Sequence, residues 1–349
     1  MKKLDEKEWK EFTLGEIFNN FHGRRLNINE RQPGKIPMLT AGDADNGVSA
    51  FISNRNMPIH ENFISIDMFG SSFYHPYTAT GDDNIYFFEN DTLANDTKRF
   101  ISAVIEKQSL KFSYGKQFRQ KNADTLRIML PVDDDGKPDY DYMAQYTSKM
   151  RKRMLMRYRN YVAGQLSKLE YKDIPALDEK EWKSIAIASI FSLVRGRESN
   201  MAMLGDGDVP LISAKNSSNG LKGFVDTPNK LIHGGCITLN NDGDGGAGLA
   251  YYQPANMALD THVTALIPEF EMSNWAMLFI AECISGLHGF FGHGLSISNA
   301  RAKNVRVMLP VDDDGEPDYA YMAQYTKNLM LRKYKQFLRF LDRAEGKVK

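Results

Sequence analysis

Residues 130–147 read LPVDDDGKPDYDYMAQYT, and residues 309–326 read LPVDDDGEPDYAYMAQYT. Sixteen of the eighteen positions are identical, and the two stretches are 179 residues apart. A repeat of this length and identity indicates a duplicated unit, so the same fold is expected twice in the chain. The DDDG segment predicts a turn, because Asp, Gly and Pro favour reversals of the backbone. Asp139 and Asp318 are of the residue type that commonly begins a helix, so a helix is expected after each turn.

The duplication extends over most of the chain. Three shorter segments recur at an offset of 173 residues: EKEWK at 6–10 and 179–183, Gly-Arg at 23–24 and 196–197, and Ile-Pro or Val-Pro at 36–37 and 209–210. The later repeat has an offset of 179, so the second copy carries a net insertion of six residues before it. Because insertions concentrate in loops, the middle of each copy is where the two copies are free to differ.

Each copy is predicted to be an α+β module followed by a long helix. A short helix is expected around Trp9 and around Trp182. Short β-branched or aromatic segments bounded by Gly, Asn, Asp and Pro predict strands, in the first copy at 36–39, 48–52, 63–68 and 84–88. A helix over 100–108, or 275–285 in the second copy, precedes a loop rich in Gly, aromatic and basic residues. A strand over 125–130, or 304–309, then leads into the acidic turn.

Two long helices are predicted after the acidic turns, because apolar residues recur there at helical spacing. A helix of about 30 residues is about 45 Å long, which is too long for one small module to cover. We therefore expect the two helices to pack against each other as an antiparallel, coiled-coil-like stalk. The predicted segments are a first module at 1–138, its helix at 139–172, a second module at 173–317 and its helix at 318–349.

The composition is that of a soluble globular protein. The 349 residues suffice for two domains, and 42% apolar with 25% charged residues is ordinary. Basic and acidic residues both number 44, so any affinity for nucleic acid has to come from local patches. Two cysteines, and no apolar run of about 18 residues, indicate neither a disulfide framework nor a membrane span. A cytoplasmic protein without a membrane partner is therefore expected.

Two like modules at a fixed separation favour double-stranded DNA as the ligand. The readable features of DNA repeat about every 34–36 Å, so modules one helical turn apart can read two half-sites. Loops at 112–121 and 291–301 carry cationic, amide, hydroxyl and aromatic side chains. Arg and Lys can bind phosphate or guanine, and Gln or Asn can pair with adenine. The alternative is that these loops are exposed connections without a ligand.

The candidate DNA-binding residues come from these loops and from the repeated Gly-Arg segment. They are Arg24, Arg25, Tyr114, Lys116, Gln117, Arg119, Gln120 and Lys121 in the first copy, and Arg195, Arg197, His293, Ser296, Ser298, Asn299 and Arg301 in the second.

No catalytic constellation is found in the sequence. The acidic turns at 133–135 and 312–314 could hold a metal ion, but a turn followed by a helix cap accounts for them. Residues 241–246, NDGDGG, lack the spacing of a calcium-binding loop. The histidines have no nucleophile at a recognisable spacing, and neither cysteine has a ligand-spaced partner. We therefore expect no catalytic residue, metal or cofactor in this chain.

The order of the repeated segments resembles the specificity subunits of restriction–modification systems, of type I or the closely related type IIB. Each copy opens with KEWK, contains the Gly-Arg and Ile/Val-Pro segments, and ends with LPVDxxGxPD and a long helix. The resemblance covers essentially the whole chain. It implies two pseudo-symmetric target-recognition domains, each reading one half of a bipartite, asymmetric DNA site, with the helices setting the spacer. The chain is shorter than the larger type I subunits, which leaves open which of the two types it serves.

The resemblance also implies that this chain is not an enzyme. DNA adenine methyltransferase and restriction subunits are the implied partners, with two methyltransferase copies per chain. S-adenosylmethionine and Mg²⁺ are expected in those partners. The alternatives are a protein-interaction scaffold with two duplicated modules, and a stand-alone nuclease that uses the carboxylates at 133–135.

Overall fold

The computed structural model describes residues 2–199, 204–242, 246–291, 296–297 and 299–344. Contacts divide the chain into two compact units, Met1–Tyr158 and Arg159–Lys349, here called the first and second unit. Each unit combines β-sheets with helices, so the mixed helix and sheet composition expected for each copy is confirmed. The division falls inside a long helix, and the domain boundaries derived from the sequence stay a prediction.

The first unit has a six-stranded sheet in the order β2-β7-β5-β6-β3-β4 and a separate two-stranded sheet of β1 and β8. Strands β3 and β6 are parallel, and the other neighbours are antiparallel. The strands are β1 (Trp9–Thr13), β2 (Asn19–His22), β3 (Pro33–Leu39), β4 (Val48–Ile52), β5 (His60–Asp67), β6 (Ser72–Gly81), β7 (Ile85–Glu89) and β8 (Arg127–Pro131). The helices are α1 (Leu14–Ile17), α2 (Asn95–Glu106), α3 (Gln120–Ala123) and α4 (Tyr140–Leu166), which continues into the second unit.

The second unit has the sheets β10-β17-β14-β15 and β12-β11-β16-β13, and a two-stranded sheet of β9 and β18. The strands are β9 (Trp182–Ala186), β10 (Phe191–Arg195), β11 (Asp206–Ile212), β12 (Leu221–Val225), β13 (Leu231–Ile232), β14 (Cys236–Asn240), β15 (Ala250–Gln253), β16 (Met257–Leu259), β17 (Val263–Pro268) and β18 (Arg306–Pro310). The helices are α5 (Asn274–Ser285), α6 (Asn299–Asn304) and α7 (Tyr319–Ala344).

Strands predicted at 36–39, 48–52, 63–68 and 84–88 correspond to β3, β4, β5 and β7. Three strands of the first unit, β1, β2 and β6, were not predicted. In the second unit, β15 and β16 together take the place of β6, and Pro254 lies between them. Strand β6 carries Pro76 at the equivalent position and is continuous, so the proline alone does not account for the break. The one sheet of the first unit therefore corresponds to two smaller sheets in the second.

Trp9 and Trp182 lie in strands, so the short helix expected around each tryptophan was wrong. Strand β1 pairs with β8, and β9 pairs with β18, in equivalent registers. The Trp9 indole Nε1 donates to the Leu4 carbonyl at 3.0 Å, and its ring stacks on Phe100 with centroids 6.2 Å apart. Trp182 makes the same two kinds of contact in the second unit. Pairing with a strand far along the chain thus fixes the extended conformation of this segment.

The acidic turns and the helix starts are confirmed. Asp133 Oδ1 accepts the backbone N–H groups of Asp135 and Lys137 at 3.0 and 2.9 Å, which closes the turn. Gly136 has φ of 76°, a left-handed conformation that glycine adopts without strain. Asp139 then accepts the Tyr142 N–H at 3.0 Å, as an N-cap residue does. The second copy repeats these contacts with Asp312 and Asp318.

Asp139 also joins the start of α4 to the N-terminal segment. Its Oδ2 lies 2.7 Å from Lys7 Nζ, and Asp318 makes the same ion pair with Lys180 at 2.9 Å. Burial alone would raise the pKa of Asp139, but the Lys7 ammonium and the Tyr142 N–H outweigh it and lower the pKa. The stabilisation from this carboxylate is therefore complete above its ordinary value of 3.8 and is lost as the pH falls through the lowered value.

Replacing Asp139 by alanine is expected to lower the free energy of unfolding by about 1–2 kcal/mol, because the helix loses its cap and Lys7 its partner. Urea denaturation at pH 7 measures the loss. Asp134→Ala, at an exposed position of the same turn, is the control and should change stability by less than about 0.5 kcal/mol. Equal losses in both variants would contradict the role of Asp139.

Helices α4 and α7 have 27 and 26 residues, so each is about 40 Å long. Within the second unit, the last turns of α4 contact α7. Arg159 Nη2 lies 3.0 Å from Asp342 Oδ1, and the rings of Tyr161 and Tyr334 meet edge to face at 6.4 Å. No helix in the described parts of the chain has both the length and the apolar character needed to cross a membrane.

Candidate nucleic-acid interface

A buried aromatic ring anchors the candidate loop of the first unit. Phe118 has no solvent exposure, and its ring lies 5.1 Å from the Tyr86 ring and 5.3 Å from the Phe112 ring. The Phe118 N–H donates to the Met68 carbonyl at 2.9 Å. The loop is therefore attached to the core in its middle, with polar segments on both sides of the anchor.

Those segments place the predicted polar residues at the surface. Ser113 and Lys116 exchange backbone hydrogen bonds of 3.1 and 3.0 Å, which forms a tight turn with Tyr114 at its tip. Tyr114 is 84% exposed, so its ring is available to a ligand apart from a contact with Phe69. The exposed residues of the loop include Tyr114, Lys116, Arg119, Gln120 and Lys121, while Gln117 is half-buried and bonded to Arg119.

Contacts with β2 connect this loop to the Gly-Arg segment. Gln120 Nε2 donates to Asn20 Oδ1 at 2.7 Å, and Asn20 lies on the edge strand β2, which ends one residue before Gly23. Arg24 Nη1 donates to a backbone carbonyl at 3.0 Å, and Arg25 is an exposed residue 3.8 Å from Asp83. Six of the eight candidates of the first unit therefore lie in the loop, and Arg24 and Arg25 follow the strand that Gln120 contacts.

The glycine of each Gly-Arg segment permits a close approach of two chains. A Cβ atom at Gly23 would lie 2.1 Å from the Asp82 carbonyl oxygen, and one at Gly196 would lie 2.0 Å from that of Asp260. Arg197, after the second glycine, is exposed, whereas Glu198 is buried and accepts a hydrogen bond from Asn229 at 2.7 Å. The recurrence of this segment thus has a structural cause in addition to any contact with DNA.

The loop of the second unit is anchored in an equivalent way. Ile297, 179 residues after Phe118, is buried, and its N–H donates to the Asn241 carbonyl at 2.7 Å. Ser296 and Arg301 are exposed, and Arg301 Nη1 donates to the Ser296 carbonyl at 2.8 Å. Asn299 begins α6. The predicted candidates His293 and Ser298 lie outside the described residues.

A charged pair that the sequence did not point to lies beside this loop. His262 Nδ1 is 2.7 Å from Asp242 Oδ1, and Arg195 Nε donates to the Thr261 carbonyl at 2.7 Å. The hydrogen bond that the His262 ring donates to Asp242 raises the pKa of His262 above its ordinary value of 6.5, and the charges of Asp260 and Arg195 modify it in opposite directions. In the sequence, this pair consists of one isolated histidine and one residue of the 241–246 stretch, 20 positions apart.

Among the described residues, no group of three or more His, Cys, Asp or Glu side chains is arranged to hold a metal ion. The Asp133 carboxylate accepts two backbone hydrogen bonds within its own turn. Residues 243–245 of the calcium-like stretch lie outside the described part of the chain.

Comparison with known proteins identifies the family. The sequence profile of the type I restriction modification DNA specificity domain matches twice, over residues 6–154 and 179–337. The chain belongs to this family. The two matches confirm the duplication, and the expected resemblance to restriction–modification specificity subunits is confirmed with it. The match is to a specificity family and not to a catalytic one, as expected for a non-catalytic subunit.

The chain is also similar to individual proteins with a specificity role in their names. The S.BcgI specificity subunit of a type II restriction enzyme from Heyndrickxia coagulans is 32% identical over 175 residues, which is 49% of each chain. This chain thus aligns with about half the length of that curated relative. A type I restriction–modification S subunit from M. genitalium is 17% identical, with a TM-score of 0.46 over 98% of this chain and 94% of that one. The HsdS subunit of Thermoanaerobacter tengcongensis is 13% identical, with a TM-score of 0.33 over 96% and 91% of the two chains.

Proposed function

We propose that the two units each read one half of a bipartite, asymmetric DNA site. This proposal rests on one observation. Both units anchor a loop in the same way, through the buried Phe118 or Ile297, while the polar residues of the two loops differ. A shared anchor with different exposed residues is what two readers of different sequences require. An asymmetric site follows, because the half-sites meet different chemistry.

The first loop offers both kinds of contact that DNA reading needs. Lys116, Arg119 and Lys121 can neutralise phosphates, which positions the protein without selecting a sequence. Gln120 can pair with an adenine edge, and exposed Tyr114 can pack against bases or sugars. The candidate residues of both units stay predictions at the level of individual contacts.

The two long helices are proposed to set the gap between the half-sites. Each is about 40 Å long, close to the 34–36 Å of about one DNA turn. The contacts of Arg159 with Asp342 and of Tyr161 with Tyr334 pair rising residue numbers in α4 with falling numbers in α7. This order supports an antiparallel pair of helices.

Catalysis is proposed to belong to separate subunits that bind S-adenosylmethionine and Mg²⁺. The segments shared most closely by the two copies, at 4–10 with 177–183 and at 130–147 with 309–326, include exposed acidic residues such as Asp134 and Asp313. Acidic groups are unsuited to contact with phosphates, so an identical surface on both units favours one kind of protein partner bound twice. We propose a DNA adenine methyltransferase in two copies and a restriction activity, in a cytoplasmic complex.

The proposal is tested by co-expressing the chain with its methyltransferase and sequencing the methylated motifs of the host. A motif of two unlike halves with a fixed gap is expected. Four residues inserted after Arg153 and four after the equivalent Arg332 should lengthen the gap by about two base pairs and leave both halves unchanged. The control is Met154→Ala with Lys333→Ala. It changes the residues that directly follow the two insertion points without changing the length of either helix, and it should leave the gap unchanged.

Two results would contradict the proposal. An unchanged gap in the insertion variant would show that the helices do not set the spacer. If the wild-type chain assigns no motif and binds DNA only in a salt-sensitive, sequence-independent way, the scaffold alternative is favoured.

A further inference from the structure

Five residues of the second unit form a connected polar group, here called the His262 cluster, of which Asn241 is buried: Arg195, Asn241, Asp242, Thr261 and His262. The Asn241 N–H donates to the His262 carbonyl at 2.9 Å, and the Asp242 carboxylate holds the His262 ring from the side at 2.7 Å. Arg195, at the end of β10, is attached by its hydrogen bond to Thr261. These contacts bring the ends of β10, β14 and β17 together at one place.

The His262 cluster is joined directly to the candidate DNA loop. Ile297, the buried anchor of that loop, donates its N–H to the Asn241 carbonyl at 2.7 Å. Ser296 precedes this anchor, and the Arg301 side chain donates a hydrogen bond to the Ser296 carbonyl. The DNA-binding candidates Arg195, Ser296 and Arg301 are therefore connected to His262 and Asp242 through Thr261 and Asn241.

The arrangement of His262 determines what its free nitrogen can do. Nδ1 is engaged by Asp242, and 55% of the side chain is exposed, so Nε2 is the nitrogen that remains for a ligand. A neutral ring that donates from Nδ1 has a bare lone pair at Nε2, whereas the protonated ring donates from both nitrogens. The Asp242 carboxylate and the Asp260 charge favour the protonated ring, and Arg195 opposes it.

We propose that the protonated His262 ring, oriented by Asp242, donates a hydrogen bond from Nε2 to an acceptor in the second half-site. The acceptor is either the O6 and N7 edge of guanine or a phosphate oxygen, which share the need for a charged donor. The inference rests on the proposed function. The inference concerns the second unit alone, because the first unit has no equivalent His-Asp pair. The register of β14 with β17 matches that of β5 with β7, and this match places Asn84 at the position of His262 and Phe69 at the position of Asp242.

The test uses the full chain with its methyltransferase and a fluorescent duplex that carries the motif read from the host. The affinity of the wild type is expected to fall about ten-fold as the pH rises through the pKa of His262, because one charge-assisted hydrogen bond is lost. His262→Gln should bind about ten-fold more weakly at low pH and lose this pH dependence. Asp242→Asn should move the midpoint of the pH profile to lower pH, which a purely structural role would not do.

His233→Gln is the control, because His233 is an exposed histidine of the same unit outside the His262 cluster. Methylome sequencing of the His262→Gln host separates the two acceptors. A relaxed preference at one base of the second half indicates guanine, whereas weaker methylation of an unchanged motif, with a shallower salt dependence, indicates phosphate.

Unchanged affinity, pH profile and motif in His262→Gln would overturn the inference while leaving the proposed function intact. A wild-type chain that assigns no bipartite motif would overturn the proposed function, and this inference with it.

Discussion

Replacing Phe118 by alanine is expected to destabilise the first unit by about 3–5 kcal/mol and to abolish reading of the first half-site. The ring is fully buried among Tyr86, Phe88 and Phe112, so its removal leaves a cavity that these rings cannot fill without moving. The same residue attaches the loop to the core. Loss of the anchor should therefore disorder the residues that we propose to contact DNA.

Calorimetry of the full chain measures the loss of stability, and methylome sequencing reports the half-site. Tyr114→Ala is the matched variant, because Tyr114 belongs to the same loop but is 84% exposed. It should change stability by less than about 0.5 kcal/mol and still weaken reading of the first half. A Phe118→Ala chain with normal stability would refute the anchoring role, and an altered second half in either variant would refute separate reading by the two units.

Acidification from pH 6.5 to pH 4 is expected to destabilise the first unit by about 3 kcal/mol through His75 alone. His75 is fully buried, and burial lowers its pKa from 6.5 to about 4. Its ring nitrogens lie 2.8 Å from Ser65 Oγ and 3.1 Å from Tyr77 Oη, and its ring stacks on Phe63. The unfolded chain takes up a proton at about pH 6.5 and the folded chain does not, so stability is full above that pH and falls below it.

The second unit supplies the control substitution. Gln253 occupies the position of His75, and its Nε2 donates to Thr238 Oγ1, the counterpart of Ser65, at 3.1 Å. His75→Gln should therefore keep a buried hydrogen bond and remove the dependence of stability on pH in this range. Urea denaturation of both chains between pH 4 and pH 7.5 measures the difference. If the stability of the wild type and of His75→Gln changed with pH in the same way, the acid sensitivity would belong to groups other than His75.

The features that depend on local sequence were the ones predicted well. Turns closed by Asp133 and Asp312 use short-range contacts, and so do the helix caps at Asp139 and Asp318. Trp9 was misassigned because its strand partner lies about 120 residues later, and nothing in the KEWK segment reveals that pairing. Long-range pairing commonly overrides local preference in this way.

In the candidate site, too, the local features could be predicted and the long-range contacts could not. Exposed charges such as Lys116 and Arg119 could be recognised from the composition of the loop alone. The pairing of Asp242 with His262 could not, because the two residues are 20 positions apart and meet only through the pairing of β14 with β17. The anchors had a usable signal: Phe118 and Ile297 are apolar residues among polar ones, at the same offset of 179 as the long repeat.

The start of α4 is fixed to its own unit by several contacts at once. Lys7 binds the capping Asp139, and the Val132 N–H donates to the Glu8 carbonyl at 3.0 Å. With its origin held in this way, the helix cannot rotate to absorb a change in its length. Each residue gained or lost turns everything beyond it by about 100° as well as moving it by about 1.5 Å. Evolution should therefore accept length changes that sum to nearly whole turns, such as four or seven residues, and reject two or five.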